Sequence, residues 1–466
     1  MNIVVTFFAF CWSIVADGIL AIFDTNRRQG FQATFGSELL IANRWNKGLL
    51  ISRNRKMTRQ KSYENVLIIG PIGSGKTSRL LIKQLLSLRN RTILVNDPSG
   101  ELFQLCSGYL SQFFKILVLN FSDSKNSAGY NLLARIKRSS DINKIAHALV
   151  SATIDKNSSD PYWSLQSKTL LSILIRITLS QEAQYRNMAN VLHLLHIFSY
   201  DINKIDVLIV KSKDKRLLQD YKSFISTPEK TLQNIVSSTK ASLQLFEDEE
   251  IAKVTSNDSI RFETLRNEPT IIFLRNSVSD MKYINTLNGL FFEQFFGHLL
   301  QHLPTKNELD VFCLIDEASS LYIPMLPTFT ANNRKHRISN VACIQAKKQL
   351  DTFYKNDADN IISNCVTKIY LPGITDMDTL RELEILSGKR TIKNPKGGEK
   401  TASLISIDEI RQLPENRTLI VSGNHPIILG RTSQWFQSYF TYKRYCSYPP
   451  FQFQSDIPDN SIAYIP

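Results

Sequence analysis

Apolar residues along this 466-residue chain follow two rhythms. Short unbroken runs such as Val66-Leu67-Ile68-Ile69, Thr92-Ile93-Leu94-Val95-Asn96 and Ile116-Leu117-Val118-Leu119 are bounded by turn residues, the signature of buried strands. From about Leu132 to Ile260 such runs fade and apolar positions recur at helical spacing. The spacing predicts helices over Tyr162 to Ile177, Met188 to Phe198, Lys215 to Phe224 and Leu232 to Phe246. Strands return at Thr270 to Leu274, Val311 to Ile315, Val341 to Ile344, Val366 to Tyr370 and Thr418 to Val421. Near-continuous apolar strands fit a mostly parallel sheet covered by helices on both faces. The chain therefore reads as an α/β domain interrupted by an all-helical insertion. The expected boundaries are 31–131 and 263–440 for the two parts of the α/β domain and 132–262 for the insertion. Residues 1–30 read as an anchor and 441–466 as a peripheral tail, with a flexible basic loop or hairpin tip at Lys393 to Lys400.

The first strand runs into Gly70-Pro71-Ile72-Gly73-Ser74-Gly75-Lys76-Thr77, and a helical pattern follows from Ser78 to Leu86. Strand, glycine loop and helix is the order that aims backbone N–H groups and a helix N-terminus at phosphates. Gly70, Gly73, Ser74 and Gly75 would form the cradle, Lys76 would reach the β- and γ-phosphates, and Thr77 would help hold Mg²⁺. A nucleoside triphosphate is the ligand this motif requires. Farther on, Val311 to Ile315 leads straight into Asp316-Glu317. Asp316 would orient Mg²⁺ through its water shell, and Glu317 would polarise the attacking water. An acidic strand end is common by itself; a phosphate loop upstream gives it meaning.

Three further positions are candidates. The next strand ends on Gln345, either a sensor of the γ-phosphate or water, or an ordinary solvated strand end. The basic cluster Asn332 to Arg337 is either a solvated helix end or the source of an arginine for a neighbouring subunit's nucleotide, with Arg334 the choice. Asp97 opens the tight turn Asp97-Pro98-Ser99-Gly100-Glu101 after a strand, and is expected to aim at nucleotide or metal.

Composition adds a partner and a compartment. With 56 Lys and Arg against 42 Asp and Glu, the net charge of +14 favours a polyanion, nucleic acid or an anionic membrane surface. A hydrophobic share of 43% excludes a disordered chain. The six cysteines form no C-x-x-C pair and the seven histidines show no ligand spacing, which implies a reducing compartment without disulfide framework or zinc site. Ile3 to Phe23 is apolar apart from Thr6, Ser13, Asp17 and Gly18. A helix of that length spans roughly 30 Å, one hydrocarbon core, although Asp17 would cost about 2.5–3.5 kcal/mol deep in a bilayer. Arg27, Arg28, Arg44, Lys47 and further basic residues follow, so the bulk of the chain is expected on the cytoplasmic side. A buried helix or an amphipathic surface helix are the alternatives to a membrane anchor.

The stretches NVLIIGPIGSGKTSRLL, ILVNDPSGEL, SAGYNLLARI, DPYWSLQSKTLLSILI and LIDEASSLYIPMLPTFTANNRKHRISNVACIQAKKQL, in this order, resemble the TraG/TraD-type coupling proteins of type IV secretion and conjugation. The resemblance covers about residues 35 to 430. It implies a RecA-like P-loop ATPase, assembled as a homo-hexamer, with an all-helical domain toward the cytoplasm and an N-terminal membrane helix in the bacterial inner membrane. It implies ATP and Mg²⁺ as cofactors and, as partners, single-stranded DNA, its bound relaxase and the type IV secretion channel. The family's ATP-site positions fall on Gly73, Gly75, Lys76, Thr77, Asp316, Glu317 and Gln345, with Arg334 acting in trans. Three departures stand out: Ser99 replaces the usual lysine, one N-terminal membrane helix is found instead of two, and long C-terminal extensions are expected to be absent. The rival readings are a double-stranded DNA pump of FtsK/HerA type and a receptor or adaptor that uses ATP only as an assembly switch.

Overall fold

The computed structural model describes residues 32–153, 161–393, 399–459 and 462–466. The proposed anchor 1–30, with its apolar segment Ile3 to Phe23, lies outside the described residues, as does the hairpin tip 394–398. Among the described residues no helix is long and apolar enough to cross a membrane.

One nine-stranded sheet organises the chain. Its strands, in chain order, are β1 (Val66–Ile69), β2 (Thr92–Asn96), β3 (Lys115–Leu119), β4 (Thr270–Leu274), β5 (Val311–Ile315), β6 (Ile338–Ile344), β7 (Thr367–Tyr370), β8 (Arg417–Ser422) and β9 (Ile428–Arg431). Across the sheet they run β9-β8-β7-β1-β6-β5-β2-β4-β3. The stretch from β7 to β3 is parallel throughout; β8 is antiparallel to both its neighbours. Successive side chains of a strand point to opposite faces. Leu67, Ile69, Val311, Cys313 and Ile315 accordingly enter one core, while Val66, Ile68, Phe312 and Leu314 enter the other. Both faces are dry, so both alternating positions must be apolar.

Between β3 and β4 the described residues form seven α-helices: Ser139–Thr153, Pro161–Ser180, Met188–Tyr200, Ile202–Ser212, Lys215–Ile225, Glu229–Leu243 and Glu249–Ser256. Lys215–Ile225 shows why they form: Leu217, Tyr221 and Phe224 bury one stripe, and Asp214 caps the first turn by accepting from the Leu217 amide. The outgoing and returning chains are stitched at a narrow neck. Tyr130 N–H donates to the Val254 carbonyl at 2.9 Å and Ser259 N–H to the Gly129 carbonyl at 3.0 Å. Arg135 reaches across to Asp258 and the Ile260 carbonyl.

The tail differs from the peripheral segment expected. The Phe451 amide donates to Ser107 Oγ at 3.0 Å, and Ser455 Oγ donates to the Ser124 and Ser127 carbonyls at 2.7 Å each. The Ile465 amide donates to Asn190 Oδ1 at 2.8 Å, with the Ile465 side chain buried in the helical insertion. Aperiodic Ser- and Pro-rich sequence carries no helical or strand rhythm, yet its backbone and hydroxyl groups bind wherever partners are offered.

The same C-terminal region meets the helix behind the glycine loop. Lys83 is fully buried there and donates to the Ser433 carbonyl and hydroxyl, both at 3.1 Å. Burial, with Arg53 and Arg79 nearby, pulls its ammonium down from 10.5 to about 8. Between these values the unfolded chain binds more protons than the native one, so stability rises with pH through this window. We expect the native protein to gain stability relative to Lys83→Met from about pH 8 to about pH 10.5, read from denaturant midpoints. Parallel midpoints for the two proteins across that window would refute the buried, weakened charge.

Candidate nucleotide site at the carboxyl edge of the sheet

β1 runs into Gly70, where a Cβ would lie 2.6 Å from Ser74 Oγ and 2.9 Å from Leu371 Cβ. Gly73 and Gly75 hold φ of 79° and 87°, the left-handed region that side chains other than glycine avoid. The loop thus curls tightly and hands the chain to a helix wound as π over Lys76–Leu81 and as α over Ile82–Ser87. Lys76 is buried beneath it, with Nζ donating to the Gly70 carbonyl at 2.7 Å and the Pro71 carbonyl at 3.3 Å. Ser74 Oγ braces the turn through the Pro71 carbonyl at 2.8 Å.

β5 delivers the acidic pair to the same edge. Thr77 Oγ1 donates to Asp316 Oδ2 at 3.0 Å, joining two segments 239 positions apart. Glu317 takes a left-handed φ of 54°. Its Oε1 accepts from Gln345 Nε2 at 2.8 Å and from Ser319 Oγ at 2.9 Å. Burial pushes the Asp316 carboxyl up to about 6; Thr77 and Lys76 oppose the rise, and the Asp97 and Glu317 carboxylates add to it.

Asp97 is buried beside this group, with its oxygens turned to a helix start. Oδ1 accepts from the Leu102 amide at 3.2 Å and Oδ2 from the Phe103 amide at 2.8 Å. Its carboxylate therefore holds the turn and adds negative charge near Asp316. Arg334 sits apart from all of these. It lies on the single turn Asn333–His336, 68% exposed, 3.4 Å from Glu64 Oε1 at the amino edge of the sheet. The seven residues of β6 separate that edge from Gln345, a span of about 20 Å.

Two contributors went unnoticed in the sequence. Asn96, ending β2, donates its amide to the Asp316 carbonyl at 2.8 Å, and Ser319 braces Glu317. The only signal for Asn96 was a polar residue closing an apolar run.

The donors present suit Mg²⁺ and a polyphosphate. Thr77 and Asp316 offer hard oxygen ligands in contact, and burial leaves Asp316 short of positive charge. The loop's glycines leave its backbone open to close approach.

A family model described as type IV secretory system conjugative DNA transfer matches residues 35–455. The chain belongs to this family. The conjugal transfer protein TraG of Escherichia coli is 23% identical over 74% of the chain and 59% of TraG. Protein VirD4 of Agrobacterium fabrum is 22% identical over 79% of the chain and 58% of VirD4. This family member thus spans about three fifths of the length of the curated relatives it matches. Its fold is that of the plasmid coupling protein TrwB, a RecA-type P-loop fold with a mostly parallel sheet. A TrwBdeltaN70 structure with sulphate superposes with a TM-score of 0.67, 18% identity and coverage of 86% of this chain and 93% of the solved TrwBdeltaN70 chain. A TrwB structure in complex with ADP and Mg²⁺ gives the same TM-score, identity and coverage.

Lys76→Ala should weaken nucleotide binding about 10- to 100-fold, because a hydrogen bond to a charged group contributes about 1.5–3 kcal/mol. Calorimetric titration with a non-hydrolysable ATP analogue reads this directly. Undiminished affinity would remove the phosphate role from Lys76.

Proposed function

We propose that this chain is an ATP-hydrolysing coupling protein of conjugation. It passes relaxase-bound single-stranded DNA to a type IV secretion channel. Residues 3–23 would tether it to the inner membrane with the bulk of the chain cytoplasmic, and six copies would form the working ring. The observation that carries the reading is the hydrogen-bonded convergence of three distant segments, Lys76-Thr77, Asp316-Glu317 and Gln345, on one edge of the sheet.

In this reading the glycine-loop amides and Lys76 hold the phosphates, while Thr77 and Asp316 hold Mg²⁺. The cation would neutralise charge on the phosphate oxygens. Glu317 polarises the attacking water, and Gln345 with Ser319 fixes the direction in which its carboxylate points. Asp97 acts by positioning, since the amides of Leu102 and Phe103 occupy its oxygens. Arg334, on the far edge from its own glycine loop and largely exposed, serves the nucleotide of an adjacent subunit. The excess of basic residues supports a DNA partner.

Full-length protein in detergent should hydrolyse ATP faster with single-stranded DNA. Glu317→Gln should lower turnover about 100- to 10,000-fold while leaving nucleotide affinity intact. Stimulation by duplex alone would favour a double-stranded DNA pump, and no hydrolysis with any DNA would favour an ATP-switched adaptor. Arg334→Ala should lower turnover by about 1,000-fold. Mixing it with Lys76→Ala subunits should restore part of the activity, because the two defects then fall on opposite sides of an interface. Failure to recover at every mixing ratio would place Arg334 outside the neighbour's site.

A further inference from the structure

Two buried asparagine amides face each other where the Arg334 turn meets the strand that feeds the glycine loop. Asn65, directly before β1, holds a left-handed φ of 57°, which asparagine tolerates better than most residues. Its Nδ2 donates to the carbonyls of Thr330 at 3.0 Å and Asn364 at 3.1 Å, and to Asn333 Oδ1 at 3.3 Å. Its Oδ1 accepts from the Asn340 amide at 3.2 Å and from Asn333 Nδ2. Asn333 Nδ2 also donates to the Ile338 carbonyl at 2.9 Å.

Apolar side chains could fill this space, but they would carry no directional bonds. The amide pair instead fixes three things to one another: β1, the end of helix Leu326–Asn332, and the turn that carries Arg334. The helix is itself clamped by Phe329, stacked on Phe296 at 3.6 Å. Glu64, one residue before Asn65, pairs with the Arg334 guanidinium at 3.4 Å and with Lys61 at 2.8 Å. Both the backbone and the head of Arg334 are thus referenced to the residues that begin β1. The far end of β1 is Ile69, which leads directly into Gly70, the first residue of the glycine loop.

We propose that Asn65 and Asn333 are positioning residues for phosphoryl transfer. They hold the turn that presents Arg334 to the neighbouring subunit's nucleotide, in register with the strand ending at the subunit's own glycine loop. The inference rests on the trans-acting reading of Arg334. Neither asparagine touches nucleotide; both act through Arg334, and a misplacement of about 1 Å can cost on the order of 100-fold in rate.

The test uses full-length protein carrying Asn333→Ala or the milder Asn333→Ser, beside Arg334→Ala. Both Asn333 variants should lose about 10- to 100-fold in kcat, with KM for ATP and the thermal midpoint little changed. Mixing either with Lys76→Ala subunits should recover activity, and mixing with Arg334→Ala should recover none, since those defects share one side of the interface. Recovery with Arg334→Ala would overturn the proposal. So would full turnover in both Asn333 variants while Arg334→Ala is inactive. Loss of cooperative unfolding in both variants would assign the pair to stability alone and overturn it as well. Wild-type turnover in Arg334→Ala would instead strike the trans reading itself, a separate failure.

Discussion

The common register of the parallel strands is the constraint on which the candidate site depends. Ile69 lies opposite both Ile344 and Tyr370, and Ile315 lies opposite Asn96 and Ala342. Gly70, Asp97, Asp316 and Gln345 therefore emerge along one edge, although up to 275 positions separate them in the chain. Because side chains alternate between two dry cores, a one-residue slip of any strand would send all of that strand's side chains to the other face. Packing on both faces thus sets the register, and the register sets the geometry of the chemistry.

The two edges of the sheet differ in charge. At the carboxyl edge Asp97, Glu317 and Lys76 gather around Asp316; burial pushes its carboxyl pKa up, with the two neighbouring carboxylates adding to the rise. At the amino edge the buried Asp310 carboxylate is ringed by Arg59, Arg91 and Arg337. Burial would raise its pKa, but Arg59 with Tyr63 and Arg91 holds it below the usual carboxylate range. Removing one partner from such a cluster strands a buried charge, so it ties the strand starts together. Arg334 stands on this arginine-rich edge, largely exposed and paired with Glu64.

The helical insertion is held at two places. The neck around Gly129, Tyr130 and Arg135 closes the insertion where it leaves and rejoins the sheet. The C-terminal segment runs from Ser433, against Lys83 behind the glycine loop, past Ser107 and Ser124 to Asn190 in the insertion. This C-terminal segment thereby links the helix behind the glycine loop to the helical unit, through hydrogen bonds and through packed side chains such as Tyr445 on Tyr109 and the buried Ile465.

Rhythm and motif were enough to read the alternation of strands and helices, the glycine loop, and the acidic pair at the end of β5. These depend on residues near one another in the chain, where apolar spacing and glycine placement act directly. Other features were invisible there. Nothing local distinguishes Gln345 as the partner of Glu317 rather than a solvated strand end, or turns Asp97 toward the amides of Leu102 and Phe103. The tail's docking and the Asn65–Asn333 pair are likewise long-range. Local backbone and side-chain preferences were sufficient to mark which segments become strands and where the glycine loop and the acidic pair fall in the chain. Which polar atoms meet, and which edge each charge occupies, emerged with the folded arrangement. Those outcomes depend on strand order and register, which arise from packing between residues far apart in the chain.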